Sequence, residues 1–203
     1  MPPMTLQALY MSSRRLKRKQ HIWMTDTGRG SEVLTSVVPY KGMNMVAFSF
    51  MLPGLTQYTV TRTGRKIGPI PHHEIIAFQD CKFSEKEPDD AKKSDYFRIE
   101  HGGDVYWVEK INPRRNRALV RCDCKDYYFT ASYWNFRNGC QWGPPAKPYI
   151  RKTTTYPERN PMHIPFMCKH IFFIFKNFML GRAEFRYSKG DMSYNITGKE
   201  FFK

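Results

Sequence analysis

The sequence predicts an α+β fold, with a β-rich antiparallel front part followed by a shorter part pinned together by cysteine and histidine. Three observations predict it. Short segments rich in Val, Ile, Phe and Tyr, bounded by Gly, Pro or Asp, recur between Glu32 and His101, which is strand composition with turn punctuation. Gly102-Gly103 separates two such segments, and two glycines tolerate the positive φ that a tight hairpin needs at both central positions. Finally, Cys122-Asp-Cys124 and Cys168-Lys-His170 frame a long insertion, and the second pair opens an apolar run.

In chain order, Leu6, Leu9, Tyr10, Ser13 and Leu16 fall near helical spacing between Thr5 and Lys19, a segment that ends in Arg14, Arg15, Lys17, Arg18 and Lys19. It reads as a short helix or a basic arm. Strands are expected at Glu32–Val38, Met43–Leu52, Gln57–Arg62, Glu74–Phe83 and Tyr96–His101, then Val105–Val108 and Arg117–Cys124. The stretch Ser84–Asp95 is charged and carries Pro88, so it reads as a solvated loop. After the Asp126 cap, Phe129, Tyr133, Phe136 and Cys140 recur at helical spacing with a Gly139 stop, which predicts an aromatic-faced helix. Six prolines between Pro144 and Pro165 exclude most regular structure there, leaving an extended strap. A buried helix over Ile171–Leu180 ended by Gly181, and a hairpin from Ala183–Ser188 to Met192–Thr197, complete the chain.

The 203 residues suit one domain with elaborations. Lys and Arg number 33 against 18 Asp and Glu, a net charge of +15 that calls for an anionic partner. With 41% hydrophobic residues the chain is foldable, it lacks an eighteen-residue apolar stretch, and a secretory leader is not expected from its first thirty residues. It is therefore expected to be soluble, made in the cytoplasm and not secreted. Five cysteines is an odd number, and outside the secretory route such a set reads as thiols or metal ligands before disulfides.

The chemical logic lies in the two ligand pairs. On a strand, residues i and i+2 point to the same side, so Cys122 and Cys124 can present two thiolates together. Cys168 just outside a helix start and His170 just inside it supply the other two donors. Three thiolates and an imidazole suit tetrahedral Zn2+, and Arg121, Lys125 and Lys169 beside them offset the thiolate charge. Four protein ligands leave no position for water, so the zinc is expected to be structural.

The pattern Cys-x-Cys ending a strand (Ala118-Leu-Val-Arg-Cys-Asp-Cys), a gap, then Cys-x-His opening an apolar helix resembles the SWIM-type zinc finger. That resemblance implies a β-hairpin and a helix pinned by one zinc and used for protein or nucleic-acid binding. The gap of 43 residues is longer than is usual in the family. Together with Arg151-Lys-Thr-Thr-Thr, Pro157-Glu-Arg-Asn-Pro and Ile164-Pro-Phe-Met-Cys-Lys-His, it is similar to a long-gap version in structural proteins of tailed bacteriophages. The expected organisation is a basic arm (1–20), a β-rich region (21–103), a SWIM-like module (104–181) with insertion 125–167, and a C-terminal hairpin and tail (182–203). The expected role is a virion subunit of the neck, tail or baseplate that binds other virion proteins, copies of itself or ring neighbours included. Arg14, Arg15, Lys17, Arg18 and Lys19 of the arm and Trp142, Tyr149, Arg151 and Tyr156 of the strap are the candidate partner-binding residues.

Each sharp reading has a bland counterpart. Cys81 and Cys140 read as core thiols, His72-His73 as facing opposite ways on an extended chain, and His163 as a surface residue. Tyr127, Tyr128, Phe129, Tyr133, Trp134, Phe136 and Trp142 would stack bases with Arg137, but regular spacing favours a packing face. DNA phosphates or an acidic protein would both neutralise the basic segments. No glycine phosphate loop, Gly-x-Ser-x-Gly turn, His-Glu-x-x-His or Asp-x-Asp pair is present, so no enzyme, membrane or small-molecule role is expected.

Overall fold

Val46, Phe48, Phe50 and Leu52 alternate along strand β2 (Met45–Leu52), so all four project to one face of the pleat, where all are buried. Met45 and Ala47 on the opposite face are buried too, which makes β2 a central strand. The computed structural model describes residues 4–16, 32–52, 59–60, 66–67, 71–150, 158, 160–189 and 191–203. β2 is flanked by β1 (Val33–Tyr40) and β5 (His72–Phe78), both antiparallel to it, in a register that aligns Val37, Phe48 and Ile76 across the core face. β9 (Ala118–Cys122) adds to β5. On the other side, β10 (Glu184–Lys189) pairs parallel with β1, and β11 (Met192–Thr197) closes a hairpin with β10. The sheet order is β11-β10-β1-β2-β5-β9, antiparallel but for the β1–β10 pair.

A smaller sheet of β6 (Phe83–Ser84), β7 (Tyr96–His101) and β8 (Asp104–Glu109), in the order β6-β8-β7, sends Phe97, Ile99 and Val108 into the same core. Gly102 (φ 63°) and Gly103 (φ 90°) turn β7 into β8 as the sequence requires. The expected boundary between 103 and 104 therefore falls within a hairpin. Of the strand expected at 57–62, the described residues form β3 (Thr59–Val60), which pairs antiparallel with β4 (Lys66–Ile67).

Helix α1 (Leu6–Arg15) starts at Thr5, whose Oγ1 accepts the Ala8 N–H at 3.1 Å. Leu6 and Leu9 are completely buried, and the Ser13 hydroxyl donates to Leu9 O (2.8 Å) while accepting the Met167 N–H (2.7 Å). Over its described length the segment is thus the helix of the two sequence alternatives, docked on its own core because the apolar residues at helical spacing are covered. Arg14 and Arg15 are exposed in its last turn, while Lys17, Arg18 and Lys19 lie outside the described residues.

The aromatic-faced helix is corrected as well. A π turn (Tyr127–Ala131) leads into α2 (Ser132–Arg137), and the buried residues are Tyr127, Ala131, Ser132 and Asn135, whereas Phe129 and Phe136 are exposed. The wider i→i+5 turn breaks the 3.6-residue phase on which the spacing argument rested. α3 (Lys169–Ile174), prolonged by a second π turn (Phe175–Met179), is buried at every residue from His170 to Phe175. Its rings pack on the sheet with Phe201 and Phe202, which the sequence placed in a tail: Phe48 lies 5.3 Å from both, centroid to centroid.

Candidate metal centre

Strand alternation puts Ala118, Val120 and Cys122 of β9 on the core face. The chain then turns, so Cys124 follows on the same side. Across the core, Cys168 is the extended residue preceding α3 (φ −67°, ψ 169°), and His170 lies in its first turn. All four side chains are buried, and their ligand atoms lie within 4.8 Å of one another. His170 Nδ1 is 3.6 Å from Cys122 Sγ, which matches the ~3.6 Å expected between nitrogen and sulfur donors on one tetrahedral ion with bonds of about 2.0–2.1 and 2.3 Å. The Cys124 N–H donates to Cys122 Sγ (3.4 Å) and the Tyr127 N–H to Cys124 Sγ (3.3 Å), contacts that favour thiolates.

The electrostatics also fit a cation. Burial pushes the Cys122 and Cys168 thiols well above their usual range, while hydrogen bonds from those two thiols hold Cys124 low. A divalent ion would displace the thiol protons and pair with three thiolates in a site where bare like charges are not sustainable. Burial holds His170 below its usual pKa, in the neutral form that ligates metals. These four residues could hold a metal ion.

Sequence reading missed the groups around the cluster. Glu74 of β5, opposite Cys122 in the ladder, is completely buried: its Oε1 accepts from Cys122 Sγ at 3.4 Å and lies 4.0 Å from His170 Nδ1. Its Oε2 and His170 Nε2 have no hydrogen-bond partner, and desolvation raises the Glu74 pKa. His72, expected to stand apart from any metal, has its ring 4.4 Å from that of His170, with Nδ1 2.9 Å from Asp123 Oδ1. Asn135 clamps the segment before Cys168, its amide donating to Phe166 O (3.1 Å) and accepting the Phe166 N–H (2.9 Å). The available signal was positional: Glu74 is an acid on the apolar side of a strand. Asn135, between Trp134 and Phe136, carried none.

Other expected site residues separate. Trp142 lies back on its own sheet with Met45, Ala47 and Ala77, 5.8 Å from the Tyr40 ring, because residues 140–142 run beside β9 through Val120 N–H to Cys140 O (2.9 Å) and Trp142 N–H to Val120 O (3.0 Å). It is half-buried there and covers part of its own sheet. Tyr149 is exposed against Phe129, and Arg151 and Tyr156 lie outside the described residues. His163 is on the surface, stacked on Trp134 at 4.5 Å. Cys81 and Cys140 are buried, each pushed up to about 12 by desolvation. The strand bearing Cys122 pairs with β5 and not with β8, so the local hairpin that the zinc-finger resemblance implies is not formed among the described residues. No helix among those residues is long and apolar enough to cross a membrane. No protein-family model, curated protein or solved structure matches this chain.

Proposed function

We propose that the metal is Zn2+, that it is structural, and that the protein works by binding other macromolecules as an assembly subunit of a tailed-phage virion. The observation that carries the non-catalytic part is the sealed donor set: four buried protein ligands fill a tetrahedral sphere and leave no position for substrate or water. Coordination then ties β9 to the start of α3, and in such sites coordination energy is folding energy. The placement in a virion rests on the resemblance of Cys122-Asp-Cys124 and Cys168-Lys-His170, with their long insertion, to phage structural proteins. Elemental analysis should find one zinc per chain, and immunogold labelling of purified particles of the source virus should decorate one location. Less than half an equivalent of zinc overturns the first part, and unlabelled particles overturn the second.

The +15 charge favours a second reading, a nucleic-acid binder. Such a protein should lose roughly 10³-fold or more in affinity for a labelled DNA duplex between 50 and 200 mM salt, if six or more phosphates are contacted. An assembly subunit should show no such binding.

A further inference from the structure

The π turn that defeats the packing-face expectation turns large apolar side chains outward. Tyr128 is 68%, Phe129 40%, Tyr149 49% and Ile150 83% exposed. The three rings form one cluster, with Ile150 next to Tyr149 in the chain: the Phe129 ring lies 5.0 Å from Tyr128 and 4.7 Å from Tyr149, joining two segments twenty residues apart. Single exposed apolar residues are ordinary, whereas touching rings that remain in water mark an interaction surface. The backbone beneath is well held. The π turn is fixed to the ligand region through the Tyr127 N–H to Cys124 Sγ and the Tyr127 hydroxyl to Val120 O (2.6 Å), and Pro148 stiffens the strap beside Tyr149.

Charge and ring geometry identify the occupant. Lys125 and Lys147, chain neighbours of the cluster, are exposed and have no ion-pair partner among the described residues. The nearby acid, Asp126, is engaged by the Thr130 hydroxyl at 3.3 Å. A second copy of the chain would bring another +15 against the same cationic rim, so self-association is disfavoured. Stacked bases need open, parallel ring faces. Here the interplanar angles are 81° and 52°, and Ile150 has no ring. The rings meet edge-on in one pair and tilted in the other, and make a knob that fills a pocket.

We propose that Tyr128, Phe129, Tyr149 and Ile150 form a docking knob for an acidic protein surface bearing an apolar pocket. The proposal rests on the assembly reading above and names the surface through which it acts. The test is selection from a displayed library of random twelve-residue peptides, using the zinc-loaded full chain, a Phe129→Ser/Tyr149→Ser variant and an Ile150→Ser variant as baits. Ile150 is so exposed that its replacement leaves folding intact, which thermal melts verify. The wild-type chain should enrich peptides that carry net negative charge and at least one large apolar residue. A labelled synthetic copy of the consensus should bind both variants roughly tenfold or more weakly. Equal affinity for wild type and variants overturns the knob and leaves the assembly reading standing, whereas no enrichment by the wild type overturns both. Neutral or basic consensus peptides refute the charge assignment. Binding of labelled dT20, or a dimer in sedimentation, that Ile150→Ser abolishes would reassign the face to nucleic acid or to a second copy, and either overturns the proposal.

Discussion

Replacing Asn135 by Leu tests whether the amide clamp, and not the metal alone, holds the Cys168 segment. The side chain is completely buried and satisfies both backbone groups of Phe166. Leucine has similar bulk but removes the two hydrogen bonds that the amide makes to a buried N–H and a buried C=O. Each bond lost at a buried group costs about 1–3 kcal/mol, and partial relaxation brings the sum to about 2–4 kcal/mol. That is a substantial fraction of the ~5–15 kcal/mol that typically holds a domain together. The loss falls on the local opening of residues 166–168, since that is the motion the clamp opposes, so metal release to a chromogenic chelator should accelerate by roughly 30- to 900-fold. Urea unfolding followed by circular dichroism measures the first quantity, and chelator absorbance measures the second. A variant within about 0.5 kcal/mol of wild type, with unchanged release, would refute the reasoning.

Metal affinity should rise with pH, because burial holds protons on Cys122 and Cys168 that must leave on coordination. Competition titrations between pH 6 and 8 should show up to about two decades per pH unit, and a flat profile refutes the assignment. Asp80→Asn isolates the pair with Arg117 (2.8 Å), since asparagine also tolerates the φ of 59° at this position. Hydrogen bonding from Arg117 lowers the Asp80 pKa below its reference of 3.8, so the contribution is present above that value and lost as pH falls through the lower folded value. Both groups are half exposed, so the difference at pH 6 should be only about 0.2–1 kcal/mol and vanish in acid; a difference that persists there excludes the pair as its source. A Cβ at Gly198 would meet Phe178 O at 2.0 Å, whereas one at Gly139 (φ +65°) meets nothing within 4 Å. Gly198→Ala should therefore cost about 3 kcal/mol or more and Gly139→Ala about 1 kcal/mol, and thermal melts in the reverse order contradict the structure. Cys81 and Cys140, pushed to about 12, should resist iodoacetamide at pH 8 until the protein unfolds; modification in the native state would count against their burial.

The ligand set was legible because strand alternation and a helix start are local geometry, so the spacing of Cys122, Cys124, Cys168 and His170 carries their convergence. Hairpins marked by glycine were legible for the same reason. What escaped depends on distant partners or on local departures from ideal geometry. Glu74 meets Cys122 only through the β5–β9 register, Asn135 meets Phe166 across thirty-one positions, and the final Phe201 and Phe202 enter the core through tertiary packing alone. The outward rotation of Phe129 and Phe136 follows from a π turn that α-helical periodicity does not encode. The helical spacing of Leu6 and Leu9 was legible, but the docking of α1, which also uses the Met167 N–H on the Ser13 hydroxyl, depends on a partner 154 positions away.

The parallel pairing of β1 with β10 also sets an order of events during synthesis. Until residues 184–189 leave the ribosome, Val33 and Leu34 lack their outer neighbour, and the sheet ends in an unprotected apolar edge. At 5–20 residues per second the intervening chain takes roughly 7–30 s to make, long on the scale of hairpin formation. The nascent chain must spend that interval with β1 and β2 paired but open on one side. It is then exposed to association with other unfinished chains, and closure of the sheet comes as a late step after most of the polypeptide has been made.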